Sequence, residues 1–402
     1  MDKKILAAAV ASLFAAPAFA QSSNVVLYGR ANLGIDQYKA SGSTAGAAQD
    51  MKSRIRVFDS ASRLGVRGTE DLGGGLRAVF QIESGLNADN GNNLGQAGSQ
   101  NFSAGFLASR PSWVGVEGAF GRVLFGRQDV YWGNGTIDQT GANYINTSLP
   151  WTSGGQVGRV ALGISRQSNV LSYTTPQLGP VNASVYYSPD TNGGGNTGDA
   201  AFVNSESRQA NLQTNARLYA ATVRGAFGPI QAQLDYAQKQ TASDVFATAR
   251  PKNTGIKGAV GYAYLPGAQI SLVVSQVKTE NNGGDANADY KQTNWHLNWE
   301  HIFGNIQALA QVGMQGKVSG CGTAALQSAW CDNSKSKAWL LSARYLASKR
   351  TALYATITQT RNDANAFSDY TGGSYTSTQA ATATAAKGFD PRIIGVGIIH
   401  NF

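Results

Sequence analysis

The feature that most constrains the fold is an alternation of apolar and polar residues that recurs along most of the chain. In the segment 229–240, apolar side chains at every second position alternate with Gln231, Gln233 and Asp235. The segment 290–302 repeats the pattern. A period of two predicts strands whose two faces meet different environments. A β-sandwich with one face in water produces the same local pattern, so the alternation by itself does not decide the architecture.

The lengths of the connections between these segments supply the missing information. Seven short turns alternate with eight long polar or Gly-rich stretches, so the sequence predicts sixteen strands with short turns at one rim and long loops at the other. Outer-membrane β-barrels have this asymmetry. The short turns are 70–75, 118–121, 178–180, 226–229, 265–268, 303–305 and 347–350, and the long stretches lie near 37–53, 87–106, 129–158, 190–215, 241–254, 281–289, 317–335 and 362–388.

The first twenty residues have the organisation of a secretory leader. Lys3 and Lys4 form a basic start, an apolar run follows, and Ala18 and Ala20 form a cleavage site of the A-x-A type. We therefore predict a signal peptide over 1–20 and a single β-barrel domain over 21–402.

The low charge content agrees with a membrane barrel. Only 14% of the residues are charged, against roughly 25% in average soluble domains. A lipid-facing Arg or Lys costs about 2–4 kcal/mol at the bilayer midplane, so charge is expected in loops, turns and the interior. The last segment alternates up to a terminal aromatic residue, Phe402, which resembles the assembly signal of outer-membrane barrels.

Three blocks of the sequence resemble the general porins of Gram-negative bacteria, particularly the β-proteobacterial type. They are SRLGVRGTEDLGGGLRAVFQIESG at 62–85, RPSWVGVEGAFGRVLFGR at 110–127 and the final GVGIIHNF. The resemblance implies an all-β, 16-stranded antiparallel transmembrane β-barrel, assembled as a homotrimer in the outer membrane. It also implies that the third loop, about 128–158, folds inward and narrows a water-filled channel.

Family members line this constriction with a ladder of arginines. By motif position the ladder maps onto Arg63, Arg110 and Arg159. Alternation with apolar neighbours predicts that three further arginines point into the same interior, namely Arg30, Arg77 and Arg166. For each of these residues the alternative is a solvated charge at the rim.

The third loop lacks the acids of cation-selective relatives. At 150–155 the sequence is PWTSGG, and only Asp129 and Asp138 carry carboxylates between 128 and 158. Rings of Arg or Lys select anions. We therefore expect passive diffusion of small hydrophilic solutes and ions with a preference for anions. A porin specific for a sugar or an organic anion is the alternative.

The remaining sequence features predict a disulfide but no catalytic or metal site. Cys321 and Cys331 lie in one long loop of an exported chain, so we predict that they pair. The three histidines lie in no catalytic motif, and we expect no enzymatic activity, no metal and no cofactor. No basic run points to nucleic acid. The expected partners are outer-membrane lipid and lipopolysaccharide.

Overall fold

A computed structural model of the chain describes residues 23–86, 88–89, 107–130, 166–189, 217–240, 252–280, 289–366, 368 and 387–402. These residues form one antiparallel sheet of seventeen strands, in which β1 closes the sheet by pairing with β17. The strands are β1 (Ser23–Ser41), β2 (Met51–Asp59), β3 (Arg63–Gly73), β4 (Leu76–Gly85), β5 (Ser112–Gly118), β6 (Gly121–Asp129), β7 (Arg166–Thr174), β8 (Val181–Ser188), β9 (Arg217–Phe227), β10 (Ile230–Gln240), β11 (Lys252–Leu265), β12 (Ala268–Glu280), β13 (Tyr290–Phe303), β14 (Ile306–Gln315), β15 (Ser336–Leu346), β16 (Thr351–Asn362) and β17 (Asp390–Asn401).

The architecture is the predicted 16-stranded barrel with one strand divided in two. Strand β1 is long enough to pair with both β2 and β3, which follow each other along the same side of it. Strands β2 and β3 therefore share one position in the barrel. All seven predicted short turns join consecutive strands, because each falls between two paired antiparallel neighbours.

The last residue of the chain extends the β1–β17 pairing that closes the barrel. The N–H of Gly29 donates to the carbonyl oxygen of Phe402 at 3.0 Å, and the N–H of Phe402 donates to that of Gly29 at 3.1 Å. No sheet edge is left open at this seam, as a spanning structure requires in lipid.

The distribution of apolar and polar side chains over the two faces of the barrel wall is the reverse of that in a soluble protein. Apolar side chains such as Ile55 and Leu27 are 75% and 62% exposed, whereas Asn294 and His296 are 0% exposed. The apolar residues thus point outward and the amides and charges inward, as the alternation predicted. A barrel of this kind suits a membrane.

Within the described residues, helical structure is confined to short pieces between strands. A 3-10 turn covers Ala47–Gln49, and two helical turns cover Ala324–Leu326 and Gln327–Cys331. None of the helices in the described ranges has the length and apolar character needed to span a bilayer.

Candidate functional site

The division between β2 and β3 decides which way Arg63 points. In β1–β2 the paired residue numbers sum to 92, as in Asp36 opposite Arg56, whereas Arg30 opposite Arg63 has the sum 93. One extra residue is therefore inserted in the segment 60–62, which is a β-bulge. Without it, Arg63 would share the outer face with Val57, which is 60% exposed. The bulge therefore directs the side chain of Arg63 toward the barrel interior.

Strand β1 forms several hydrogen bonds with this bulge. Asn32 donates from its backbone N–H to Ser62 Oγ and from Nδ2 to the carbonyl oxygen of Ser60, both at 2.9 Å. Tyr354, on the inward face of β16, donates its hydroxyl to Asn32 Oδ1 at 2.8 Å. Ala61, at the tip of the bulge, has a φ of 62°. The bulge is held in place by hydrogen bonds from Asn32 of β1, and Tyr354 fixes the side chain of Asn32.

Arg63 and Arg110 share one carboxylate. Arg110 Nε donates to Glu83 Oε1 at 2.5 Å, and Arg63 Nε lies 3.8 Å from Glu83 Oε2. Tyr28 donates its hydroxyl to the same Oε2 atom at 3.0 Å. Arg30 lies directly opposite Arg63 in the sheet and donates to Asn401 Oδ1 at 3.0 Å.

A second ion pair extends this group of charges along the wall. Arg166 Nε lies 2.9 Å from Asp129 Oδ1, and the two residues are cross-strand partners. Arg166 interacts electrostatically with Arg110, and Arg110 with Arg30. Arg127, a neighbour on β6, donates to Ser168 Oγ at 2.7 Å. The structure thus brings these arginines together on one side of the barrel.

We call this group the arginine wall. It contains the guanidinium groups of Arg30, Arg63, Arg110, Arg127 and Arg166 and the carboxylates of Glu83 and Asp129. Within this group, five guanidinium groups thus face two carboxylates, and Arg344 also interacts electrostatically with Arg30. A surplus of one sign in a narrow, low-dielectric passage concentrates ions of the opposite sign.

One of the predicted site residues, Arg77, does not join this group. Arg77 lies beside the 73–76 turn, where its Nη2 is 2.8 Å from Glu117 Oε1 and 55% of its side chain is exposed. Arg159 and Asp138 lie outside the described residues, as does most of the third loop.

The most important residue that the sequence reading missed is Glu83. The hairpin register across the 70–75 turn places it opposite Gly65, on the same face as Arg63. Counting residues back from that turn would have found it, because the residue numbers of paired residues on the two strands of a hairpin add up to the same value along the hairpin. Arg127, which lies opposite Ser112 across the 118–121 turn, could have been found in the same way.

The opposite side of the interior has a different chemistry. Its only described salt bridge joins Lys257 Nζ to Asp235 Oδ2 at 3.4 Å, with both side chains fully buried. Thr222 and Gln233 donate to the two Asp235 oxygens at 2.6 Å. We call this side the amide wall, because neutral polar side chains of β10–β14 form most of it; they are Gln233, Gln292, Asn294, Asn298, Gln307 and Gln311.

The loop between β14 and β15 is closed by a disulfide between Cys321 and Cys331. Both cysteines are buried, and the adjacent Trp330 stacks on Tyr290 with ring centroids 5.7 Å apart. Hydrogen bonds from Gln327 and Lys317 lower the pKa of the exposed Asp332 in this loop.

Comparison with known proteins identifies relatives over most of the chain. The profile of the Gram-negative porins matches residues 7–365. An outer membrane porin protein 32 of Delftia acidovorans is 31% identical over 374 residues, which are 90% of each chain. A porin of Bordetella pertussis is 32% identical over 284 residues, covering 65% of this chain and 66% of the relative.

Solved structures show the same architecture. An anion-selective porin from Comamonas acidovorans superposes with a TM-score of 0.67 at 25% identity, covering 95% of this chain and all of that one. OmpT of Vibrio cholerae, solved in a trimer form, has a TM-score of 0.59 at 14% identity and covers 95% of this chain and all of that one.

Proposed function

The chain belongs to the Gram-negative porin family, and from this premise we propose that it forms an outer-membrane channel through which small hydrophilic solutes and ions diffuse with a preference for anions. Porins are channels rather than enzymes, and the outer membrane is their location. The observation that carries the preference is the arginine wall, where two carboxylates oppose five guanidinium groups. The relative from Comamonas acidovorans, described as anion-selective, supports the same direction.

Electrostatic attraction is the proposed basis of the preference. The arginines raise the local anion concentration without binding any one solute tightly, so passage needs neither a cofactor nor energy. In this proposal Arg63, Arg110, Arg30 and Arg166 act at the constriction together with Arg159, while Asp129 and Asp138 moderate the positive potential. Arg77 contributes less, because Glu117 balances its charge.

We extend the proposal to the processing and assembly of the chain. Residues 1–20 act as a cleaved signal peptide and 21–402 form the mature barrel. The mature chains associate as homotrimers in contact with outer-membrane lipid and lipopolysaccharide. Phe402 serves as the assembly signal; its supporting observation is that it pairs with β1 at the point where the barrel closes.

The test is the reversal potential of the mature protein in planar bilayers under a KCl gradient. We expect the sign that reports anion preference, and a potential of the opposite sign would overturn the proposal. Arg110→Gln should lower the anion-to-cation permeability ratio about twofold or more, because one unit of local positive charge is removed. Lys337→Gln is the matched control, since it removes an exposed charge from β15 on the face of Leu341, outside the barrel interior.

A further inference from the structure

A row of basic side chains lies on the outer surface of the barrel at the long-loop rim. Lys39 of β1 is the cross-strand partner of Arg392 of β17, and Arg361 of β16 is the partner of Lys337 of β15. These strands are consecutive neighbours in the sheet. Each of these residues lies within two positions of a strand end that joins a long loop. The long loops of outer-membrane barrels are extracellular, so the row lies at the level of the outer leaflet.

These side chains point away from the channel. Arg392 lies on the same face of β17 as the exposed Ile394, and Arg361 lies on the same face of β16 as the exposed Leu353. Lys39 lies directly opposite Arg392, so it faces the same way. The row is therefore separate from the arginine wall, whose side chains face inward.

The charges lie close enough together to act on one ligand. Residues directly opposite each other, such as Lys39 and Arg392, have Cβ atoms about 4.5–5.5 Å apart. Arg392 is also the partner of Gln359, and Arg361 lies two residues beyond Gln359 toward the loop. Such a diagonal neighbour is about 7–8 Å away. Lys39, Arg392 and Arg361 thus form a continuous row of positive charge.

The protein itself balances little of this charge. Within the part of the chain that the structure describes, the side chains of Lys39, Arg361 and Arg392 form no salt bridge and no hydrogen bond. Asp390 interacts electrostatically with Arg361, but its Oδ1 atom accepts the backbone N–H of Asn362 at 2.8 Å. Like charges directly opposite each other destabilise a sheet. An anion from outside the chain would remove this repulsion.

The position of the row favours a lipid phosphate over a carboxylate of a second copy of the chain. Trp339, the partner of Gln359, lies beside the row on the same outer face, and tryptophan is enriched at the level of lipid headgroups. Three described acids at the long-loop rim are already paired with lysines of their own chain, so they complement the row poorly; they are Glu280, Asp289 and Asp332.

We propose that Lys39, Arg361 and Arg392 form a binding site for a phosphate group of lipopolysaccharide in the outer leaflet. The guanidinium groups match phosphate oxygens with two parallel hydrogen bonds, and the ammonium group adds a point charge. Clusters of basic residues beside an apolar surface recognise anionic headgroups in this way. Below the row, exposed residues such as Ile394 face the acyl chains. The site deepens the proposed contact with lipopolysaccharide and rests on it.

The test measures the binding of fluorescently labelled lipopolysaccharide to the full-length mature porin in detergent by fluorescence anisotropy. We expect the double variant Lys39→Gln/Arg392→Gln to raise the Kd about tenfold or more, because two charge-assisted hydrogen-bonding groups are lost. Dephosphorylated lipopolysaccharide should bind the wild-type protein about as weakly as intact lipopolysaccharide binds the double variant. The substituted side chains have no described partner, so the circular dichroism of the barrel should be retained.

Lys349→Gln is the matched control. Lys349 is exposed and lies in the short turn between β15 and β16, at the rim opposite to the row. The substitution removes a positive charge from the same hairpin that carries Arg361. The affinity for lipopolysaccharide should equal that of the wild-type protein.

The outcomes separate this site from the proposed function. If the wild-type protein and the double variant bind lipopolysaccharide equally, the site is wrong and the contact with lipopolysaccharide stands. A wild-type protein that does not bind lipopolysaccharide overturns the contact and the site together, while the reversal potential tests the channel independently. Equal binding of intact and dephosphorylated lipopolysaccharide would contradict phosphate recognition. Dissociation of oligomers of the double variant without lipopolysaccharide would show that the row contacts a second copy instead.

Discussion

The arginine wall and the amide wall arise from the same alternation and yet differ in charge. On the first, Glu83 and Asp129 are outnumbered by the arginines that they contact. On the second, Asp235 and Lys257 balance each other, and neutral amides occupy most of the neighbouring inward positions, with Glu300 accepting a hydrogen bond from Gln307. The alternation thus determines that a position faces inward, and the residue type determines whether that position contributes charge. Because the excess charge lies on one side of the interior, the electric field across the channel is directed from that side, although not every strand carries a charge there.

The amide wall should show the largest change in stability, because its only described ion pair is fully buried. Lys257→Met leaves the Asp235 carboxylate with Thr222 and Gln233 as its remaining described donors. Removing one partner of a buried pair costs about 3–5 kcal/mol. The free energy of unfolding in urea, measured on protein refolded into lipid vesicles, should fall by about that amount.

The double variant Asp235→Asn/Lys257→Met provides the control for this prediction. It removes both charges and should recover much of the lost stability, since no unpaired charge remains buried. A double variant as unstable as Lys257→Met alone would mean that the loss comes from packing, and the contrast between the walls would then be weaker.

A smaller loss is expected for Gly65→Ala on the arginine wall. A Cβ atom at this position would lie 2.5 Å from Tyr28 Cζ, so the end of the ring must move away from Glu83. Overpacking of this kind costs about 1–3 kcal/mol. Unfolding in vesicles should show the loss.

Gly258→Ala, on β11, is the control for Gly65→Ala. A Cβ atom built there has nothing within 4 Å. The substitution should leave stability unchanged or raise it by about 0.4–1 kcal/mol, because alanine lowers the conformational entropy of the unfolded chain. Similar losses at both glycines would show that the contact with Tyr28 is unimportant.

The smallest effect concerns the balance of charge on the arginine wall. Glu83→Gln removes the carboxylate shared by Arg63 and Arg110 while keeping the size of the side chain. The anion-to-cation permeability ratio should rise about twofold, because the local positive potential is less compensated. Reversal potentials in a KCl gradient measure this. Gln311→Glu on the amide wall should shift the ratio toward cations, and a rise there would contradict electrostatic control.

Sequence reasoning predicted the strands better than the partners of the site residues. The turn at 70–75 and the alternation in 76–85 were both visible, yet the contact between Glu83 and Arg110 depends on strands β4 and β5 lying side by side. The register of β4 and β5 cannot be counted from the sequence, because the long connection 87–106 between them sets no fixed offset between the two strands. The ladder positions Arg63 and Arg110 came from the family resemblance.

What the sequence by itself determined is the barrel: a strand period of two, turns of two lengths and low charge permit few other arrangements, because lipid excludes unpaired backbone and outward charge. What only the tertiary structure decided is the side of the barrel on which charge collects. A single inserted residue at 60–62 reverses the alternation, so that Arg63 faces inward with Arg54 and Arg56. That reversal depends on hydrogen bonds from Asn32 in a neighbouring strand, which the local sequence pattern does not contain.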